Sequence, residues 1–312
     1  MTSFAFLFPG QGSQSVGMLD GWGDHPAVRA TLEEASSALG EDLAALIAGG
    51  PKETLDLTTN TQPVMLTAAI ACYRAWRAEG GAAPAAVAGH SLGEYSALVA
   101  AGVLSLADAV PLVRFRAQAM QEAVPVGTGA MAAILGLDAA LVSQGCAQAA
   151  ADSGEVVSAA NFNDPKQTVI AGSKAGVDLA CERLKAQGAK RALLLPVSAP
   201  FHCSLMKPAA ERLRERLATV KLAVPTIPVV NNIDVAAPTD AVAIRDALYR
   251  QAFGPVRWVE VVQALRARGH THLVECGPGK VLAGMIRRID AEAIGAALHD
   301  PGSLIEVRSL LA

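Results

Sequence analysis

The sequence has no surplus of basic residues: 26 Lys and Arg stand against 29 Asp and Glu, for a net charge of −3 over 312 residues. Nucleic acid, which needs a basic face, is therefore not indicated as a partner. An acidic partner would have to be met by a local basic patch. Nor does any stretch approach the ~18 uninterrupted apolar residues of a membrane span. The first apolar run, FAFLF at 4–8, is very short, no basic residue precedes Arg29 and no A-x-A-like site follows, so no signal peptide is expected. The five cysteines (72, 146, 181, 203 and 276) are odd in number, widely spaced and without a C-x-x-C. That suits free thiols in a reducing cytoplasm and argues against a disulfide framework or a zinc site. Internal repeats, low-complexity tracts and long linkers are also missing.

What is present is a large apolar content, 52% against 18% charged residues, enough for a sizeable core and for more than one folding unit. FAFLF, closed by Pro9-Gly10, reads as a buried strand. Apolar positions 28, 32, 35, 39, 43 and 46 keep helical spacing, with Pro26 just upstream where a first turn tolerates it. A second helix, TQPVMLTAAIACYRAWRAEGG, stops at Gly80-Gly81, a strand follows at 84–89, and a helix then runs to Gly102. Ser105 and Asp108 resemble a capping box, and Pro111 predicts a kink in the helix they open. Residues 127–196 read strand, helix, strand, strand, helix, strand, the split-βαβ or ferredoxin-like order. Beyond Ser198 come a helix at 207–218, strand TIPVVNN, two helices within 240–268, strand THLVEC and a helix after Gly279. The expected fold class is α/β. Residues 1–126 and 197–312 would form a large α/β-hydrolase-like core with a mostly parallel sheet, carrying 127–196 as an inserted subdomain.

VAGHSLGEYSAL, at 87–98, sets Ser91 in G-x-S-x-G between a predicted strand and a predicted helix. A sharp strand-to-helix turn needs small neighbours, and Gly89 and Gly93 supply them, leaving the hydroxyl exposed above the sheet edge. The helix start favours negative charge, and the Leu92 N–H would point where an oxyanion forms. The plain alternative is that Ser91 merely caps the helix. A nucleophilic serine needs a base. Of six histidines, His90 adjoins the serine but should point away from it, and His25 and His299 lie in polar stretches expected to be exposed. His270 and His272 form an H-x-H without a third ligand. His202 follows a strand end in a proline-shaped loop and is the best base by elimination.

Eight stretches, in order along nearly the whole chain, point one way: FPGQGSQ, GHSLGEYSAL, VRFRAQAMQEAVPVGTGAM, NFNDPKQTVIAG, FHCSLMKPAA, NNIDV, RQAFGPVRW and ECGPGKVLAGMIRRI. Together they closely resemble the malonyl-CoA:acyl carrier protein transacylases of bacterial type II fatty acid synthesis. The resemblance implies that Ser91 is acylated by malonyl-CoA and passes malonate to the phosphopantetheine thiol of acyl carrier protein, with no cofactor and no metal. It implies His202 as base, oriented by a backbone carbonyl near Gln251 in place of a carboxylate. Taken alone, Gln251 reads as an exposed helix-end residue. It implies the Gln11 backbone N–H as partner to Leu92 in the oxyanion hole, which flanking glycines suit by allowing close approach. Arg116 would grip the malonyl carboxylate through two N–H groups. Arg114 lies about 200° around the helix and is read as solvated surface.

Three further expectations follow. Phe201 goes with malonyl over methylmalonyl selection in related polyketide enzymes. Asn161 and Asn163 match a pair near the pocket mouth, though they suit turns equally well. Acyl carrier protein is acidic, so a basic patch should receive it: Arg287 and Arg288 first, with Lys280, Lys190, Arg191 and Lys207 as further contributors. Cys203 is read as packing. A monomer is expected. A free-standing acyltransferase of a polyketide or malonate pathway would share this chemistry. A serine esterase would share the elbow, but there is no HGGG-type stretch and such an enzyme has no clear use for Arg116. Intact Ser91, His202 and Arg116 argue against a non-catalytic binding subunit.

Overall fold

A computed structural model describes residues 3–312; the first two residues, the start of the 1–126 segment, lie outside the described residues. Its strands, in chain order, are β1 Phe4–Phe8, β2 Ala86–Gly89, β3 Gly129–Leu135, β4 Val157–Asp164, β5 Gln167–Ser173, β6 Arg191–Leu194, β7 Val229–Val230, β8 His272–Cys276 and β9 Ile294–Leu298. They form two sheets: a parallel one in the order β7-β2-β1-β8-β9 and an antiparallel one in the order β4-β5-β3-β6. The antiparallel sheet falls entirely within 129–194, with helices Ala139–Ser153 and Lys174–Ala186 between its strands. This is the βαββαβ order expected for that stretch.

The parallel sheet explains why FAFLF lacks alternation. Phe4, Phe6 and Phe8 enter one apolar cluster while Ala5 and Leu7 enter another. A strand covered on both faces has no polar side to display. On the first face Phe4 and Phe6 meet Trp76 edge-on, and Phe6 and Phe8 meet Tyr73 the same way. Both aromatic partners come from the long helix Thr58–Ala78.

The structure corrects the reading in several places. The single helical stripe of 28–46 is two helices, Pro26–Leu39 and Leu43–Gly49. Gly40 ends the first in a left-handed conformation with φ 70°, and the Asp42 side chain caps the second. The stretch TIPVVNN pairs over two residues only. Strand β9 and helix Pro301–Leu311 follow the last predicted helix. Among the described residues, no helix is long and apolar enough to cross a membrane.

The two sheets are joined at one seam. Val256 of the core donates to Ala160 O (2.8 Å) and accepts from Phe162 N (2.9 Å), tying β4 to the segment before helix Trp258–Ala267. The loops leaving β1 and β2 end at this seam, as expected for the carboxyl ends of strands in an open parallel sheet.

Candidate active site

The turn after β2 is forced by crowding. A Cβ on Gly89 would sit 1.9 Å from the Gly93 carbonyl, and a Cβ on Gly93 would sit 2.0 Å from Phe8 O. Only glycine lets the elbow pack this closely on β1. Between them Ser91 takes φ 51°, a left-handed conformation that costs a non-glycine residue of the order of 1–3 kcal/mol. Asn232 holds it there: its Oδ1 accepts from Ser91 N (2.7 Å) and its Nδ2 donates to Gly89 O (2.7 Å).

Ser91 does not cap the helix that follows. Leu92 occupies the position before helix Gly93–Ala100, and Ser91 Oγ lies 2.6 Å from His202 Nε2. His202 Nδ1 faces two carbonyl oxygens, Gln251 O at 2.9 Å and Gly254 O at 3.2 Å. Carbonyls only accept, so the proton is on Nδ1 and Nε2 is left bare to receive the serine proton. His202 is buried and, like Ser91, left-handed (φ 62°). Burial, with the nearby Arg116 charge, pushes its pKa down to about 3, which keeps the imidazole neutral.

Arg116 is 2% exposed. Its Nη1 donates to Gln62 Oε1 (2.8 Å), and its Nη2 donates to Gln251 Oε1 (3.2 Å) and Ser91 Oγ (3.3 Å). The guanidinium lies 5.4 Å from the Tyr95 ring centroid. Among the described residues no carboxylate forms a salt bridge with it, and Nε has no partner. A buried cation without a paired anion is costly, and a bound anion would offset that cost. Arg114, on the other side of the helix, pairs with Glu41 at 2.6 Å.

A cavity of about 630 Å³ opens at the seam, lined by Ser91, Leu92, His202, Arg116, Gln11, Asn161, Asn163 and Phe201 among others. The backbone N–H groups of Gln11 and Leu92 have no protein acceptor among the described residues. Asn163 Oδ1 takes a bond from His90 Nε2 (2.8 Å), which turns His90 away from the serine–histidine pair. Eight expected residues thus meet in one place.

The other expectations divide. Gln251, read alone as exposed, is fully buried and lies behind the cavity wall, touching His202 and Arg116 and lining no substrate space. Arg287 and Arg288 are exposed on helix Val281–Ile289 and do not line the cavity, and Arg288 is bonded to Asp164 of β4 at 2.8 Å. His25 caps its helix by accepting from Ala27 N, and both it and His299 are half-buried, not exposed. His270 bonds Ser3 Oγ and His272 bonds Thr271 Oγ1. Cys203 is buried, its thiol pushed up to about 11, and has no nucleophilic character. No role was expected of Gln62, Glu94 or Asn232, although they lie within TQPVMLTAAIACYRAWRAEGG, GHSLGEYSAL and NNIDV.

A bare imidazole beside a strained elbow serine, with an unpaired cation next to them, is the arrangement of an acyl-transfer site with room for an anionic group. The chain belongs to the acyl transferase domain family, whose model it matches over residues 5–296. It is 56% identical over 305 residues to the malonyl CoA-acyl carrier protein transacylase of Escherichia coli, covering 97% of this chain and 98% of that one. Among solved structures, the acyl-carrier-protein S-malonyltransferase of Burkholderia pseudomallei superposes with a TM-score of 0.97 at 64% identity, over 99% and 100% of the two chains. A malonyl-transacylase solved in complex with its type II polyketide acyl-carrier protein gives 0.97 at 49% identity, over 99% and 100%.

Proposed function

We propose that the enzyme moves malonate from malonyl-CoA to the phosphopantetheine thiol of acyl carrier protein through an ester on Ser91, supplying fatty acid synthesis in the cytoplasm. The observation that carries this reading is Arg116, a buried cation without an ion-pair partner among the described residues, 3.3 Å from the serine oxygen. Its planar fork suits the free carboxylate of malonate, which acetyl-CoA lacks.

In the first half-reaction Ser91 Oγ attacks the thioester carbon as its proton passes to His202 Nε2. The negative charge collecting on the carbonyl oxygen is met by the free N–H groups of Leu92 and Gln11. The C–S bond then breaks and the imidazolium returns its proton to the CoA sulfur. In the second half the carrier thiol gives its proton to His202 and attacks the ester carbon. The C–O bond breaks and Ser91 regains the proton. The Gln251 and Gly254 carbonyls support the imidazolium as dipoles, the part a carboxylate plays in a triad. Pairing of the malonyl carboxylate with Arg116 also offsets the charge that depresses His202, so the substrate strengthens its own base. Asn161, Asn163 and Phe201 wall the space in which the acyl chain sits.

Carrier protein is acidic, and Arg287 is the freer of the two helix-end arginines, since Arg288 is bonded to Asp164. Reversing Arg287 alone to Glu should raise the apparent KM for carrier protein; an unchanged value removes this contact. A polyketide carrier is the second reading, favoured by the neighbour solved with such a partner. Comparing transfer to the two carriers separates them. The central test is intact mass after mixing with malonyl-CoA. A malonyl adduct should form on Ser91, move to added carrier protein, and be absent in Ser91→Ala. Rapid hydrolysis without transfer would instead indicate an esterase.

A further inference from the structure

We propose that Glu94 is the positioning residue of the transfer, its Oε2 atom anchoring two arms that fix Ser91, His202 and Arg116. The inference rests on the malonyl-loading reading above and deepens it. Glu94 sits in the first turn of helix Gly93–Ala100, is 2% exposed, and does not line the active-site cavity. Oε2 accepts from Asn232 N (2.8 Å) and from Gln251 Nε2 (3.0 Å).

The first arm is Asn232, whose side chain clamps the elbow on both sides of Ser91 through Ser91 N and Gly89 O. The second is Gln251. Its Nε2 also donates to Ser91 O (3.1 Å), its Oε1 accepts from Arg116, and its backbone carbonyl accepts a hydrogen bond from His202 Nδ1–H. One acceptor atom thus stands behind nucleophile, base and carboxylate-binding cation. Removing it leaves a buried backbone N–H and a buried amide short of a partner, and both arms must move to recover one. What the arms need is an acceptor, not a charge. Burial pushes the Glu94 carboxyl up to about 7, and a glutamine amide oxygen could accept the same two bonds.

The experiment compares Ser91 acylation rates, by intact mass, in the unmodified protein, Glu94→Ala, Glu94→Gln and Glu275→Ala, each below its melting temperature. Glu275 is a second fully buried carboxyl, bonded to Ala283 N, and lies outside the cavity lining and this network. Glu94→Ala should slow acylation by both malonyl-CoA and acetyl-CoA about 30-fold, because serine and base are themselves displaced. Glu94→Gln should stay within about fivefold and Glu275→Ala within about threefold, even where Glu275→Ala melts as early as Glu94→Ala. The proposal is overturned if Glu94→Ala acylates at the unmodified rate, if Glu94→Gln falls as far as Glu94→Ala, or if Glu275→Ala is slowed equally. Should Glu94→Ala not fold, Glu94→Met fills the volume without the acceptor and carries the same expectation. If the unmodified protein forms no malonyl-serine, the parent reading fails and not this one.

Discussion

Two strand-to-helix turns leave the same parallel sheet, and they resolve the same geometric problem in opposite ways. After β8 the left-handed positions are glycines, Gly277 (φ 136°) and Gly279 (φ 85°), which reach them without strain. The free N–H groups that open helix Val281–Ile289 are taken up by the Glu275 carboxyl, which accepts from Ala283 N at 2.8 Å. After β2 the left-handed position is Ser91, and the Leu92 N–H is left free. The glutamate there, Glu94, turns away from the helix start and holds Asn232 and Gln251. One turn is relaxed and its helix start is satisfied. The other keeps both strain and an open donor, and that is where the proposed chemistry sits.

The sharpest way to break this comparison is to remove Arg116, the cation proposed to receive the malonyl carboxylate. Arg116→Ala should reduce malonyl loading of Ser91 about 10- to 150-fold, the effect of losing a charged hydrogen-bond partner worth roughly 1.5–3 kcal/mol. Acetyl loading, which offers no carboxylate, should fall much less. Loading rates from the two thioesters measured side by side check this. Equal losses would mean that Arg116 acts only through Ser91 Oγ and does not select malonate.

The elbow was legible in the sequence because it is local. Strand, G-x-S-x-G and helix lie within one short window, and small residues at 89 and 93 are a direct record of crowding. The βαββαβ order was legible for the same reason, each element carrying its own period. Asn232 was not, because its place depends on strand register. Val87 pairs with Val229 and Ala88 with Val230, so continuing the ladder brings Asn232 alongside the elbow. Nothing in NNIDV states that pairing. Gln62 and Gln251 depend in the same way on how helices pack across the sheet, and a buried glutamine looks like any other in sequence. The break at Gly40 was readable, since glycine after an apolar helical stripe is a stop signal, yet the periodicity on either side concealed it. Strand β9 is the edge strand IGAAL, mostly small residues and without the continuous bulky apolar run that makes FAFLF readable as a strand.

A smaller effect isolates the strain itself. Ser91→Ala and Ser91→Gly both remove the hydroxyl, but only glycine occupies φ 51° without a Cβ penalty. Ser91→Gly should therefore be more stable than Ser91→Ala by about 1 kcal/mol, a difference of roughly 1–2 °C in melting temperature. The quiet turn should show the opposite sign. Gly279→Ala, at φ 85° and with its Cβ 3.2 Å from that of Ser13, should lower the melting temperature. If Ser91→Gly and Ser91→Ala melt together, the elbow stores no strain and the two turns differ in open donors alone.

A last test concerns the quiet turn's carboxyl. Burial pushes Glu275 up to about 7 from 4.5, against the pull of the backbone N–H groups of Val281, Leu282 and Ala283. A raised acid pKa means that the folded chain holds a proton which the unfolded chain has already released. The contribution of Glu275 to stability is therefore fully present below about 4.5 and declines as pH rises toward about 7. Glu275→Gln cannot titrate there. The melting temperature of the unmodified protein minus that of Glu275→Gln should then shrink steadily across that window, while titrations elsewhere cancel in the difference. A flat difference would mean that the helix N–H groups hold the carboxylate at its ordinary pKa. The two buried glutamates would then differ in ionisation as well as in what they hold, and the relaxed turn would be a charged one.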